Sequence, residues 1–165
     1  VKPCFSSWRE CSEPFMEEVY SAAKKLSENG QLSAEIVSAM TRARDRFSSI
    51  FSQPVSDAYL IHGDLNVGNI MVGKGLEITG FIDPLNSMYA DREYDLFQFN
   101  NLSGKRFFLC DTYLKKYGAS EKAEQKLAFY GLWNEVYCFI KAGTLIPFIM
   151  NPLVKNMNAV LEKEV

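Results

Sequence analysis

Apolar residues in the first fifty positions repeat with a helical period. Phe15, Met16, Val19, Tyr20, Ala23 and Leu26 recur near every 3.6 residues, and Glu13-Pro14 is expected to open that helix. Asn29-Gly30 is expected to close it, with glycine in the left-handed position that often follows a helix. Ser33 is placed to cap a second helix with the apolar stripe Ile36, Val37, Met40, Ala43, Phe47 and Ile50. Its other side, Arg42, Arg44, Asp45 and Arg46, is expected to face solvent. The period then shortens. "AYLI" at 58–61, "IMV" at 70–72 and "EITGFI" at 77–82 are short apolar runs. Gly73-Lys74-Gly75 between the last two predicts a β-hairpin.

Helical spacing returns after Asp83-Pro84, over 93–101, 105–117 and 121–143. A last amphipathic helix is expected after Pro152, with Leu153, Met157, Val160 and Leu161 on one side. Tyr130, Trp133, Tyr137 and Phe139 have core spacing on the long helix. Asn134 and Glu135 among them are candidates to line an acceptor pocket. The expectation is a mainly helical α+β chain in one domain: a helical segment at 1–57, a loop and hairpin at 58–84, and a helical subdomain at 85–165.

Composition narrows the function classes. The 165 residues are 47% hydrophobic and 13% aromatic, enough for a buried core and too apolar for a disordered chain. Eighteen basic residues against twenty acidic ones, without a basic run, predict no nucleic-acid or membrane partner. No apolar run reaches the roughly 18 residues of a membrane span. Cys4, Cys11, Cys110 and Cys138 form no C-x-x-C pair, and a single histidine completes no zinc site, so four free thiols in a reducing cytoplasm are expected. The chain opens at Val1 without an initiator Met, as a piece of a longer protein or a trimmed tag would.

Candidate chemistry gathers around the hairpin. The first loop reads H-G-D-x4-N, with His62, Gly63, Asp64 and Asn69, and the second reads I-D-P, with Asp83 before Pro84. Antiparallel pairing of the two runs would turn Asn69 and Asp83 toward a common point, with Asp64 a few residues back. Carboxylate and carboxamide oxygens suit Mg²⁺, which takes one or two protein carboxylates and leaves room for substrate phosphates. Asp64 would then orient a hydroxyl and accept its proton, the division of labour of phosphoryl transfer from a nucleotide. The bland alternatives are a turn aspartate at 64 and a turn-capping aspartate at 83. His62 is a second candidate base, but Asp64 explains the chemistry better and leaves His62 as a scaffold bonded to loop backbone. Asp91 and Arg92 in "ADREYDL" either shape the loop as an ion pair or touch substrate. Asp95 opens an apolar helix, where a carboxylate suits the dipole.

Taken together, "HGDLNVGNIMV", "FIDP" and "ADREYDL" resemble the aminoglycoside phosphotransferase and choline kinase-like superfamily, which has a protein kinase-like fold. "IDP" followed by "DREYDL" looks most like its fructosamine kinase family. The resemblance implies Asp64 as catalytic base, Asn69 and Asp83 as Mg²⁺ ligands, and Asp95 as a brace for the catalytic loop. Mg²⁺ and ATP are the implied cofactor and co-substrate, with a sugar, amino sugar or glycated amine as acceptor. Pro84 stands where protein kinases carry Phe, and the Gly-Asp-Pro of many aminoglycoside kinases is missing. No glycine-rich strand-turn-strand and no strand lysine precede the loop, so the chain is expected to be a C-terminal lobe without its N-terminal lobe, inactive by itself. The alternative is a kinase-like module that binds or regulates without catalysis.

Overall fold

The computed structural model describes residues 5–52, 58–84 and 86–163; Val1 and Cys4, the start of the chain and one of the expected free thiols, lie outside them. In chain order the elements are α1 (Trp8–Glu28), α2 (Ala34–Asp45), α3 (Phe47–Ile50), β1 (Tyr59–Ile61), β2 (Ile70–Val72), β3 (Ile78–Phe81) and β4 (Met88–Ala90). They continue with α4 (Glu93–Phe99), α5 (Leu102–Arg106), α6 (Leu109–Tyr117), α7 (Ala123–Ala142) and α8 (Pro147–Glu162). The described residues are thus mainly helical with two small antiparallel sheets, as the α+β expectation had it. It divides into two compact units, Val1–Pro54 with Glu124–Val165, and Val55–Ala123. That division falls inside the segment 85–165.

The first unit is helical. α1 begins at Trp8, five residues before the expected start, because Ser7 caps it: Ser7 Oγ accepts from Glu10 N at 3.1 Å. Pro14 therefore lies within the helix, where it removes one donor from the ladder. The predicted end holds. Gly30 has φ +71°, Gln31 N donates to Leu26 O at 2.8 Å, and Gly30 N donates to Ser27 O at 3.0 Å, a paired closure that needs the left-handed glycine. Ser33 caps α2, but the helix expected to reach Ile50 breaks at Arg46 and resumes as the single turn α3. α8 starts at Pro147, not after Pro152, since proline in the first turn removes a donor that has no partner there.

Met16, Val19, Ala23, Met40, Phe47, Leu132, Trp133, Val136, Met150 and Met157 form the buried core of this unit. Phe129 stacks on Trp133 with centroids 4.0 Å apart, and Phe51 meets Phe129 edge-on at 5.3 Å. Two indole donors join α1 to α7: Trp133 Nε1 donates to Met16 O at 3.0 Å and Trp8 Nε1 to Tyr130 Oη at 2.6 Å. Tyr130, Trp133 and Phe139 are therefore core residues, as their spacing suggested, whereas Tyr137, expected with them, is only half-buried. The arginine face of α2 is busier than expected. Arg44 Nε bonds both Glu17 oxygens at 2.8 and 3.1 Å, Arg46 bonds Leu161 O at 3.3 Å, and Arg42 bonds Asn158. Such half-exposed polar pairs add about 0.2–1 kcal/mol each, so packing dominates.

The second unit carries the sheets. β2 and β3 form the expected hairpin, with Ile70 opposite Phe81 and Met71 opposite Gly80, and an irregularity between Met71 and Val72. β1 pairs with β4 through Tyr59–Ala90, Leu60–Tyr89 and Ile61–Met88. The helix expected over 105–117 is interrupted by Phe108 at φ +52°, which separates α5 from α6. Gly104 permits the approach of α5 to α4: a Cβ there would lie 2.6 Å from Phe99 Cα. Among the described residues no helix is long and apolar enough to cross a membrane.

Cys11, Cys110 and Cys138 are free thiols. Burial, with Asp111 and Glu93 nearby, pushes Cys110 up to about 11, while Cys138 is exposed. Native iodoacetamide labelling at pH 8, read by mass spectrometry, should modify Cys138 and spare Cys110, because the thiolate is the reacting form; equal labelling would contradict the burial of Cys110. Leu132, with no exposed surface, should cost about 2–5 kcal/mol when replaced by Ala in urea unfolding. A loss below about 1 kcal/mol would be inconsistent with the close packing around α7.

Candidate active site

β1 ends at the buried Ile61, and the polar loop begins at the next residue. One carboxylate holds its start. His62 N donates to Asp95 Oδ2 at 2.7 Å, and Gly63 N donates to Asp95 Oδ1 at 2.8 Å. Asp95 lies in the first turn of α4, so the helix grips two consecutive amides of the loop with one side chain. Gly63 has φ +80°, and a Cβ there would sit 2.5 Å from Asn86 O, so both conformation and space require glycine.

The histidine ties the two loops together. His62 Nε2 bonds Ile82 O at 2.8 Å, while His62 Nδ1 accepts from Asp64 N at 3.3 Å, which sets Nε2 as the protonated nitrogen. Ile82 N in turn donates to Asn69 O at 3.0 Å. Asp83 is therefore one residue beyond the partner of Asn69, as antiparallel pairing predicted. It is exposed, and its φ of +57° is a strained setting for a residue with a side chain.

Asp64 is surrounded by carboxamides. Oδ1 accepts from Asn66 Nδ2 at 3.2 Å and Gln98 Nε2 at 3.4 Å, and Oδ2 accepts from Asn69 Nδ2 at 3.2 Å. Asn69 Nδ2 also bonds the Asp64 carbonyl at 2.8 Å. With its nitrogen so engaged, Asn69 presents its Oδ1 elsewhere. Neither that oxygen nor the Asp83 carboxylate takes a hydrogen bond among the described residues. The pair fits the partial oxygen shell of Mg²⁺, which needs few protein ligands. Among the described residues no cluster of three or more His, Cys, Asp or Glu side chains forms a metal cage.

Asp91 and Arg92 lie between β4 and α4. Asp91 is buried and accepts from Glu93 N at 3.3 Å. Arg92 Nη2 donates to Gly118 O at 2.7 Å, its Nε lies 3.6 Å from the buried Glu93, and its guanidinium lies 5.6 and 5.7 Å from the ring centroids of Tyr59 and Tyr113. Burial opposes this charge, but Glu93, Tyr113 and Tyr59 outweigh it and raise the guanidinium above its ordinary value. A cavity of about 380 Å³ in the same unit has mostly apolar walls, among them Ile61, Leu65, Leu96 and Phe99, with Arg92 and Asp95 as its charged members. Asn134 and Glu135 lie on α7, in the other unit; burial pushes the Glu135 carboxyl up.

Two residues of this cluster were not singled out from sequence, Asn66 and Gln98, and Glu93 was named in "ADREYDL" without a role. Gln98 had a signal, since it follows Asp95 by three positions and so shares its helix face. Asn66 had none beyond its place in the motif. Replacing Asp95 with Ala strips both loop amides of their acceptor. In hydrogen exchange of the native protein, protection of the His62 and Gly63 amides should fall at least about tenfold, given roughly 1–3 kcal/mol per orphaned group. Unchanged protection would mean that the loop is held by other contacts.

The family model described as the phosphotransferase enzyme family matches residues 5–130, well over half of the chain. Comparison with curated proteins gave no match, and comparison with solved structures gave none. The match runs through both loops and the whole of α4, the segments that Asp95 and His62 tie together, and on that extent this chain belongs to the phosphotransferase enzyme family of the protein kinase-like superfamily.

Proposed function

We propose that these residues are the catalytic and acceptor-binding lobe of an ATP-dependent small-molecule kinase, closest in kind to the fructosamine kinases. The observation that carries this reading is the convergence on Asp64: one carboxylate, oriented by Asn69, with Asp83 one residue from the Asn69 partner. Asp64 is the base, positioned to orient a hydroxyl of a sugar, amino sugar or glycated amine and accept its proton. As the acceptor oxygen bonds to the γ-phosphorus, the bridge to the β-phosphate breaks and ADP leaves. Asn69 and Asp83 would hold Mg²⁺, which would neutralise charge on the phosphates. Asp95 and His62 keep the loop in register, and Asp91 and Arg92 shape the segment behind it. The free thiols Cys11, Cys110 and Cys138 suit a cytoplasmic setting.

The grip on the α- and β-phosphates is assigned to chain outside these 165 residues. The turn Gly73-Lys74-Gly75 is a poor substitute, because the Glu77 carboxylate packs against Gly73 and Gly75 and would repel phosphate. Calorimetry on the 165-residue chain should therefore find only weak Mg²⁺-ATP binding and no turnover; tight binding would overturn this part.

In the full-length protein, Asp64→Ala should lower phosphoryl transfer by roughly 10²–10⁴-fold, the usual contribution of a general base, and leave Mg²⁺-ATP affinity nearly unchanged. Retained turnover would remove Asp64 from the role of base. Absence of turnover in the unaltered full-length protein, across sugar and amine acceptors, would favour a module that binds without catalysis.

A further inference from the structure

We propose that Gln98 is a positioning residue for Asp64, and that its hydrogen bond leaves Oδ2 as the oxygen that receives the acceptor proton. The inference rests on reading Asp64 as the base. An ionised carboxylate offers about four lone-pair positions, two on each oxygen. Oδ1 receives two N–H groups, from Asn66 at 3.2 Å and Gln98 at 3.4 Å. Oδ2 receives one, from Asn69 at 3.2 Å. The position left over is on Oδ2, the oxygen bonded to Asn69.

The orientation of each amide follows from its other partners. Asn66 Oδ1 accepts from Gly68 N at 2.8 Å, so its nitrogen must face Asp64. Gln98 meets an acceptor-only carboxylate, so its NH₂ end must face Oδ1. The two donors differ in rigidity. Asn66 belongs to the loop it stabilises, whereas Gln98 stands on α4, one turn beyond Asp95. The same helix therefore sets the loop backbone through Asp95 and the rotation of the reacting carboxylate through Gln98. Without Gln98 the carboxylate can turn about its Cβ–Cγ bond and offer the wrong oxygen. Phosphoryl transfer depends mainly on positioning, so that freedom should slow the chemical step without weakening nucleotide binding.

The test uses the full-length protein and ADP release from Mg²⁺-ATP with water as phosphoryl acceptor. Gln98→Met keeps the length and loses the N–H; Gln98→Glu replaces the N–H with a second carboxylate that repels Asp64. Both should lower kcat roughly ten- to hundredfold, as expected for a hydrogen bond to a charged group, with KM for Mg²⁺-ATP within about twofold. A packing role would spare Gln98→Met, which fills the same space without the N–H. Wild-type kcat in both variants, with Asp64→Asn inactive, overturns the inference and leaves the base assignment standing. Turnover retained in Asp64→Asn, or absent from the unaltered protein, overturns the base reading and this inference with it. Independently of turnover, the side-chain amide protons of Gln98 in the 165-residue chain should shift in NMR spectra on Asp64→Ala; unmoved signals contradict the contact.

Discussion

The geometry of the loop depends on one carboxylate from α4. Asp95 accepts hydrogen bonds from two successive backbone amides, His62 and Gly63, at 2.7 and 2.8 Å. A charged acceptor of this kind contributes more than a neutral one, about 1.5–3 kcal/mol per bond. Fixing those amides fixes the direction in which the chain leaves β1. Gly63, at φ +80°, completes the turn, and the imidazole of His62 reaches across to Ile82 O. From there the hairpin returns the hydrogen bond from Ile82 N to Asn69 O. Loop, hairpin and α4 thus form a closed circuit, and Asp64, Asn69 and Asp83 are set by its shape.

The side chains of the circuit differ in what they bond. The imidazole has both nitrogens engaged in holding backbone, so the lone histidine serves as a strut. The carboxylate of Asp64 is bonded by amides alone, groups that orient a charge without neutralising it. Asp83 is exposed and held in a left-handed conformation, a costly arrangement of about 1–3 kcal/mol that persists only where surrounding structure enforces it. Here the enforcing contacts are the two bonds at Ile82. Strain at a residue proposed to bind metal is consistent with preorganisation of its carboxylate.

Much of this was legible in the sequence, for identifiable reasons. The helical periods of α1, α2 and α7, the closure at Gly30 and the β2–β3 hairpin follow from local patterns, and local patterns are what periodicity reports. The nearness of Asn69 and Asp83 along the chain's fold was legible because a hairpin brings its two ends together. Other features depend on contacts that no local rule encodes. β4 is three residues long and exists by pairing with β1, 27 or more positions earlier in the chain. The break at Phe108 is a left-handed residue that is not glycine. Ser7 displaced the expected helix start because its cap outweighs the proline signal at Pro14. Gln98 was hidden because its role appears only when α4 is laid against the loop.

The most direct measurement is paramagnetic broadening by Mn²⁺ in the presence of ADP, read by NMR on the full-length protein. If Asn69 and Asp83 form the metal shell beside Asp64, their signals and those of Asp64 should broaden first, ahead of the other signals of the same unit. Broadening centred elsewhere, or none at saturating nucleotide, would contradict a phosphoryl-transfer site built on this loop.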